Sequence, residues 1–599
     1  MSSTTHDVKQ HESPSAGDDH SADGKLFDEE KLAEEKQVGI VTIEAARALI
    51  GWKLWVAYLG IFLTTYFCGL DNGTTYATLY AGAQATNNFV LYPTLGVLQQ
   101  VVIAVLKFPV AKIADVFGRA EGFAVSLVFY VLGFILMAAC QNFSTLAAGV
   151  FFYAVGNTGT QIMLQIIIAD AVSTKWRGAA IGLLSWPYLM NFAVSGRFVQ
   201  GLYGALFNSP TWRWGPGIFC IVFPIAISPI IFALASSQRQ VKKAGRAPAH
   251  PYTQMTFFRG LKAFVDDIDL GGLFLIAAGF ILILLPLTLY TYAPNGWNTD
   301  YIIAMFVVGG VLIVSIGFWE WLVAPKPVIR RRYILNKNVI IPAFIGFFDF
   351  FSFYLAWTSS FSYVQILKGW TSGDATYFSN AQSLCLTFFG IMVGFINLWT
   401  RQYKWSLVAG ACIRMIGLGI MIAFRTANAT TAQLVMGQIL QGMGGGFLGV
   451  TLQVAAQVSV PHQDVAMVTA FVLLLTEIGG ACGTALLGTI QAQRLPTLIA
   501  RYLPGATAEV QANLYAQPLV EIISYPLGTP ERTALIEAWN GYFHTLLTVA
   551  IALSAVPIVL GLLLNDYKLN DKQNCVTDEP PLHVTGEARV RAEDEIVKS

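Results

Sequence analysis

The sequence predicts an all-α polytopic membrane protein, and three observations carry that expectation. Of its 599 residues 55% are hydrophobic, 13% aromatic and only 12% charged, whereas a soluble domain carries roughly a quarter charged residues. The mean hydropathy is +0.56. The apolar residues come in runs of about 20, the length of helix that crosses a hydrocarbon core. Within lipid each backbone polar group must find its partner inside its own segment, which selects helices.

The bulk numbers also exclude other classes. With a net charge of +1, nothing suggests a nucleic-acid partner. Cys68, Cys140, Cys220, Cys385, Cys412 and Cys482 lie in or at the ends of apolar runs, Cys575 lies near the C-terminus, and there is no C-x-x-C. That distribution argues against a disulfide framework or a metal site. The first 50 residues lack the basic-then-apolar pattern of a signal peptide, so the first helix directs insertion.

In chain order, residues 1–53 read as a polar, disordered tail, with "VTIEAARALIGW" (41–52) as a short interfacial helix. Spans near 54–74, 93–114, 122–140, 145–168, 179–201 and 216–236 form a first six-helix half, 54–236. Residues 237–269 form a connecting loop. Spans at 270–292 and 301–323 make an inserted pair, 270–323. Spans at 338–360, 378–399, 405–424, 431–452, 465–490 and 544–565 form a second half, 338–565, with a long loop at 491–543. A polar tail, 566–599, follows. The expected total is about 14 spans.

Orientation follows from Lys and Arg, which favour cytoplasmic loops. The 237–269 loop holds Arg239, Lys242, Lys243, Arg246, Arg259 and Lys262, and "KPVIRRRYILNK" follows the inserted pair; 75–92 and 293–300 hold neither residue. Both tails are therefore expected in the cytoplasm, with the sequons at Asn142 and Asn428 outside.

The stretch "LKFPVAKIADVFGRAEGF" (106–123) crowds Lys107, Lys112, Asp115, Arg119 and Glu121 between apolar runs. Flanking a helix end explains the bases but not Asp115 or Glu121. Ala-x-x-x-Asp-x-x-Gly-Arg resembles the helix 2–3 signature of the major facilitator superfamily, G-x-x-x-D-R-x-G-R, with Ala111 and Val116 as departures. "ADAVSTKWRGAA" (169–180) resembles that superfamily's helix 4–5 loop. The resemblance implies a cytoplasmic gate of Asp115, Gly118, Arg119, Asp170 and Arg177. "GFINLWTRQYKW" (394–405) is a degenerate second copy, consistent with pseudo-repeated halves around a midplane site.

Polar groups inside spans are costly and are functional candidates by default. Asp349, Asp71 and Glu477 are the proton-coupling candidates, although Asp71, late in the first span, also reads as a helix end reaching water. Arg197 and Arg414 read as cavity or pairing residues. Asn157, Gln161 and Gln165 share one helix face, and Gln438 and Gln441 lie in the counterpart helix. Such amides serve as interhelical ties or line a cavity suited to a large, amide-rich, weakly charged ligand. Neither a metal-ligand cluster nor a nucleophile–base pair stands out, so neither a cofactor nor an enzyme activity is expected.

"VSVPHQDVAMVTAF" (458–471), "IGGACGTALLGTI" (478–490), "YPLGTPERTALIEAW" (525–539) and "GLDNGTTYATLYA" (69–81) resemble the fungal siderophore–iron transporters of that superfamily. The departures are "IQAQRLP" at the end of helix 13, and Glu477. The resemblance implies proton-coupled import of a ferric siderophore of hydroxamate type through a plasma membrane by alternating access. Iron would enter only as chelated substrate, with protons and the lipid bilayer as the other partners. Residues 491–543 are expected to fold as an outer lid, with helical character in "AEVQANLYAQPLVEII" and a helix starting at Pro530, carrying Tyr525, Trp539 and Tyr542 at the cavity mouth. The alternatives are a drug exporter, whose helix 5 motif G-x-x-x-G-P-x-x-G-G is missing here, and a transporter-like sensor that binds without moving its ligand.

Overall fold

Two kinks at corresponding places set the architecture. In the computed structural model the first span is α1 (Trp52–Asn72) continued by α2 (Thr75–Ala85). The ninth is α11 (Lys337–Trp357) continued by α12 (Ser360–Lys368). At the first kink, Thr74 Oγ1 donates to Leu70 O (2.9 Å) and Thr75 Oγ1 to Asp71 O (2.8 Å). These hydroxyls take up carbonyls released where the helix breaks. Segment 75–92, expected as a loop, is thus helical as far as Ala85, because Thr75 to Ala83 are buried against neighbours. Tertiary burial here overrides a modest local hydropathy.

The structure describes residues 52–567 and 569, apart from 87, 172–185, 206–208, 244–255, 326, 330, 427 and 461–464. The expected interfacial helix before Trp52, most of both tails, Arg177 and the His462–Asp464 turn lie outside the described residues. The first half continues with α3 (Tyr92–Phe117), α4 (Arg119–Ala139), α5 (Phe143–Ala171), α6 (Pro187–Tyr203) and α7 (Trp214–Lys243). Then come α8 (Phe257–Asp267) and the inserted pair, α9 (Leu270–Leu284) and α10 (Asp300–Phe318). The second half runs from α11 through α13 (Ser372–Thr400), α14 (Lys404–Phe424), α15 (Thr431–Val458), α16 (Val465–Tyr502), α17 (Ala508–Ala516) and α18 (Pro530–Leu562).

Among the described residues, 11 helical segments are long and apolar enough to cross a membrane. The three other expected spans fall on α1–α2, α5 and α6. Asn157, Thr158, Thr160, Gln161 and Gln165 lower the hydropathy of α5, and α6 shows 17 described residues.

Within the first half α4 packs on α5 and α7, and α1 on α7; within the second, α11 packs on α16 and α18, and α15 on α13 and α14. The halves meet along two seams, α3 with α16 and α6 with α13. Helix α9 lies over the first seam and touches both of its helices. Its Leu273 and Ile276 cluster with Ala104, Val105 and Phe108 of α3 and with Leu474 and Ile478 of α16. Helix α10 turns Val307, Val311, Val314 and Phe318 outward, the surface expected of a lipid-facing helix.

Trp52 meets Phe232 near the end of α7, with ring centroids 6.2 Å apart. Tyr403 OH donates to Asn565 O (2.6 Å) just beyond α18. The end of the bundle where the described chain starts and finishes is called proximal, and the opposite end distal.

At the distal end the expected loop 491–543 is largely helical: α16 runs on to Tyr502 and α18 begins at Pro530. In the first turn of α18, Arg532 is 3% exposed. Its guanidinium donates to Ile366 O (2.8 and 3.1 Å), Gln365 O (3.1 Å) and Ile522 O (3.3 Å). It therefore satisfies the carbonyl end of α12 and pins the 503–529 connection. Arg532→Met should destabilise the protein by about 3 kcal/mol, since hydrogen bonds to charged groups contribute roughly 1.5–3 kcal/mol. Thermal unfolding in detergent checks this. Arg532→Lys should recover only part, lacking the planar fork.

Candidate functional site

A cavity of about 280 Å³ lies between the halves, walled by α1, α2, α3, α5, α11, α16 and the α11–α12 kink. Its lining is mostly neutral polar and aromatic, including Asn72, Gln100, Asn157, Gln161, Tyr354 and Trp357; among the described residues Glu477 is the one charged lining residue.

Behind one wall sits Asp71, 1% exposed. Thr75 Oγ1 donates to its Oδ1 (2.8 Å), while Tyr153 OH (2.9 Å) and Tyr130 OH (2.5 Å) donate to its Oδ2. Asn157 Nδ2 donates to Tyr130 OH (2.9 Å) and to Asn72 Oδ1 (3.0 Å). Gln161 Nε2 donates to Asn157 Oδ1 (2.8 Å), and Asn72 Nδ2 to Tyr188 OH (2.9 Å). Thr75, Tyr153, Asn157 and Gln161 also line the cavity. The carboxyl is thus joined to the cavity by hydroxyls and amides. Among the described residues no basic side chain forms an ion pair with it. The first span runs on to Ala85, so Asp71 lies near its middle rather than at a wet end, which corrects that part of the sequence reading.

Asp349 is placed differently. Its Oδ1 lies 3.0 Å from Arg414 Nε, and both side chains are buried. The guanidinium also stacks over Phe353, 5.1 Å from the ring centroid. Gly445 makes room, because a Cβ there would lie 2.5 Å from Arg414 Nη1. Arg414→Leu should therefore destabilise by about 3–5 kcal/mol, the effect of leaving a buried charge alone. The double variant with Asp349→Leu should regain most of that loss in the same thermal assay.

Glu477 Oε1 accepts from Lys107 Nζ at 2.8 Å, across the seam between α3 and α16. Lys107, read in the sequence as one of the charges crowding the helix 2–3 turn, instead reaches into the bundle. Gln100 Nε2 also donates across the halves to Tyr354 OH (2.5 Å).

The other expected site residues divide sharply. Asn157 and Gln161 reach the cavity, but Gln165, on the same helix, is exposed and does not line it. Gln441 Nε2 donates to Arg414 O (2.9 Å), and Gln438 is buried within the second half. Both therefore serve the interior of that half rather than the cavity. Arg197 is exposed on α6, away from the cavity lining. Trp539 and Tyr542, expected at a cavity mouth, are 1% and 0% exposed on α18. Tyr542 OH reaches Ser359 Oγ (3.3 Å) and Gln491 Oε1 (3.4 Å). They pack because α18 starts before them and turns its buried face inward.

Of the gate residues, Gly118 takes φ +116 between α3 and α4, a conformation that favours glycine. A Cβ there would lie 2.4 Å from Gln238 Nε2. With its amide oriented to suit its neighbours, Gln238 donates to Glu121 Oε2 and accepts from Arg119 N, both at 3.1 Å. Arg119 is 9% exposed. Asp115 and Asp170 lie in α3 and α5, and their side chains, like Arg177, are outside the described residues.

The distal end is closed between the halves. Ser372 N donates to Ala205 O (2.8 Å) and Ser372 Oγ to Gly204 O (2.6 Å). Asn380 Nδ2 donates to Ser195 Oγ (2.9 Å) and Gly73 O (3.3 Å). The Tyr76 and Phe361 rings meet edge-on at 5.0 Å.

Sequence reasoning missed Tyr130, Tyr153, Tyr188 and Lys107. The tyrosines sit in apolar runs, where nothing marks one hydroxyl as functional. Asn72, beside Asp71 in "LDNG", was the available hint.

Comparison with known proteins gives a consistent picture. Residues 54–401 match the family model described as Major Facilitator Superfamily. The chain is 35% identical over 544 residues to the MFS siderochrome iron transporter C of Aspergillus fumigatus, covering 89% of this chain and 87% of that one. It is 33% identical to the siderophore iron transporter mirC of Emericella nidulans, covering 92% and 91%. It is 31% identical to the low affinity heme transporter str3 of Schizosaccharomyces pombe, covering 93% and 90%. Among solved structures, an inward-facing, occupied bacterial homologue of the human lysosomal transporter Spinster shares the fold, with TM-score 0.51, 14% identity, 86% of this chain and 97% of that one. A POT peptide transporter bound to alafosfalin does so with TM-score 0.52, 12% identity, 87% and 99%.

Proposed function

The chain belongs to the major facilitator superfamily and, within it, to the fungal siderophore iron transporters, and from that premise we propose that it imports ferric hydroxamate siderophores across the plasma membrane, coupled to protons, by alternating access. The observation that carries this reading is the cavity between the halves. Its neutral amides, hydroxyls and aromatic rings suit a chelate whose iron is already wrapped and whose surface presents amides and short apolar arms. Iron is cargo here, not a resident cofactor.

The Lys and Arg asymmetry assigns the proximal end and both tails to the cytoplasm. The distal closure between α6 and α13 then reads as a state shut to the outside. A volume of about 280 Å³ lies at the lower edge of ligand pockets, roughly 300–1,000 Å³, so the loaded state needs the walls further apart. Asp71 is the proton carrier in this reading, with Asp349 and Glu477 held by their bases. Asp115, Gly118, Arg119, Asp170 and Arg177 form the cytoplasmic latch.

The test is uptake of radioactive iron by iron-uptake-deficient yeast expressing the chain, offered as ferric trihydroxamates, a ferric catecholate or hemin. Saturable, protonophore-sensitive uptake of a trihydroxamate is the expected result. Uptake of hemin alone would replace the cargo with an iron porphyrin, the chemistry named for the Schizosaccharomyces relative. Extrusion of preloaded chelate without uptake would reverse the direction.

A further inference from the structure

Among the described residues the cavity has one charged lining group, Glu477, and a primary ammonium already occupies it: Lys107 Nζ, 2.8 Å from Oε1. Lys107 comes from α3 of the first half and Glu477 from α16 of the second. The contact therefore binds a charge and ties the halves together at once. Both side chains keep some exposure, 13% and 15%, so neither end is sealed from an arriving ligand. About two turns away on α3, Gln100 makes a second, neutral cross-half bond, to Tyr354 of α11.

We propose that Glu477 is a specificity residue that selects ferric hydroxamate chelates bearing a primary ammonium, with the ligand's ammonium displacing Lys107 from the carboxylate. This rests on the ferric hydroxamate reading above and adds to it the charge of the favoured cargo. The exchange substitutes one N⁺–H···O⁻ contact for another, so the carboxylate is never left bare. Lys107 keeps a flexible stem and withdraws along α3. The ligand thus takes over the charge that had joined α3 to α16, and its binding loosens that seam. A chelate without an ammonium enters the same cavity, but has to leave the internal pair intact.

The experiment measures equilibrium binding of radio-iron chelates to the purified full-length protein in nanodiscs. The probes are a linear ferric trihydroxamate ending in a primary amine and the same chelate ending in a hydroxyl. Wild type should prefer the amine by about tenfold, the scale of one good charge-assisted contact. Glu477→Gln should bring that ratio within about twofold, and Lys107→Met, which frees the carboxylate, should widen it beyond the wild-type value. Equal affinities in wild type, or a preference that survives Glu477→Gln, would overturn the proposal while leaving the hydroxamate reading standing. Failure of both chelates to bind a folded protein would overturn that reading, and this inference with it.

Discussion

Asp71→Asn is expected to abolish concentrative uptake while leaving downhill exchange of siderophore in place. One proton moving down 100 mV and one pH unit supplies about 3.7 kcal/mol, enough for accumulation on the order of 500-fold. Without a proton carrier the inside-to-outside ratio should fall to about 1. The choice of Asp71 rests on its surroundings. It is buried, ringed by Thr75, Tyr130 and Tyr153, and joined to the cavity through Asn157 and Gln161. A carboxyl with no basic partner among the described residues is free to exist with or without its proton, and its neighbours serve either form, since hydroxyls both donate and accept. Asp349 lacks that freedom because Arg414 faces it. The check is accumulation against external pH in cells with equal surface expression. Pumping by Asp71→Asn at the wild-type level, with wild-type pH dependence, would remove Asp71 from the coupling mechanism.

A cross-link across the distal closure should stop transport altogether. Ser372 N lies 2.8 Å from Ala205 O, and backbones paired at this distance bring Cα atoms within roughly 5–6 Å, the span of a disulfide. Ala205→Cys with Ser372→Cys should form a bond under oxidation that locks α6 to α13. Uptake should then fall to background, and a reductant should restore it within minutes. Each single substitution is the control. Undiminished uptake by the oxidised, fully cross-linked double variant would mean that this closure does not open during the cycle.

What could be read from the sequence differed by the scale of the feature. Membrane spans are a property of 20-residue averages, so helix existence survived nearly everywhere. The paired halves were visible because the helix 2–3 turn carries charges at a fixed spacing. A segment governed by burial rather than hydropathy was lost: α2 was read as loop because Thr and Tyr lower its average. Within 491–543 the helix starting at Pro530 was legible from its turn and proline, whereas the run of α16 on to Tyr502 was not. At the site, Asp71, Asp349 and Glu477 were visible as costly charges, but their different surroundings were not. Arg414 lies 65 residues from Asp349 in sequence and Lys107 lies 370 from Glu477, and pairing at such separations leaves no local trace. The amides show the same limit. Helical spacing put Asn157, Gln161 and Gln165 on one face, yet only the packing of α5 against α3 and α4 decides which of them meet the cavity.

The inserted pair has a consequence for the bilayer itself. Helix α9 rests on α3 and α16 together, and those two helices belong to halves that must move past each other if the cavity is to open alternately. Helix α9 cannot stay fixed to both, so it slides on one of them, carrying α10 with it. The outer face of α10 exposes Val307, Val311, Val314 and Phe318, the surface of a lipid-facing helix. Each turnover then drags a greasy hairpin through lipid, and its rate is coupled to membrane thickness and stiffness. Sterol content, which changes both, should then alter the transport rate without touching the transported ligand.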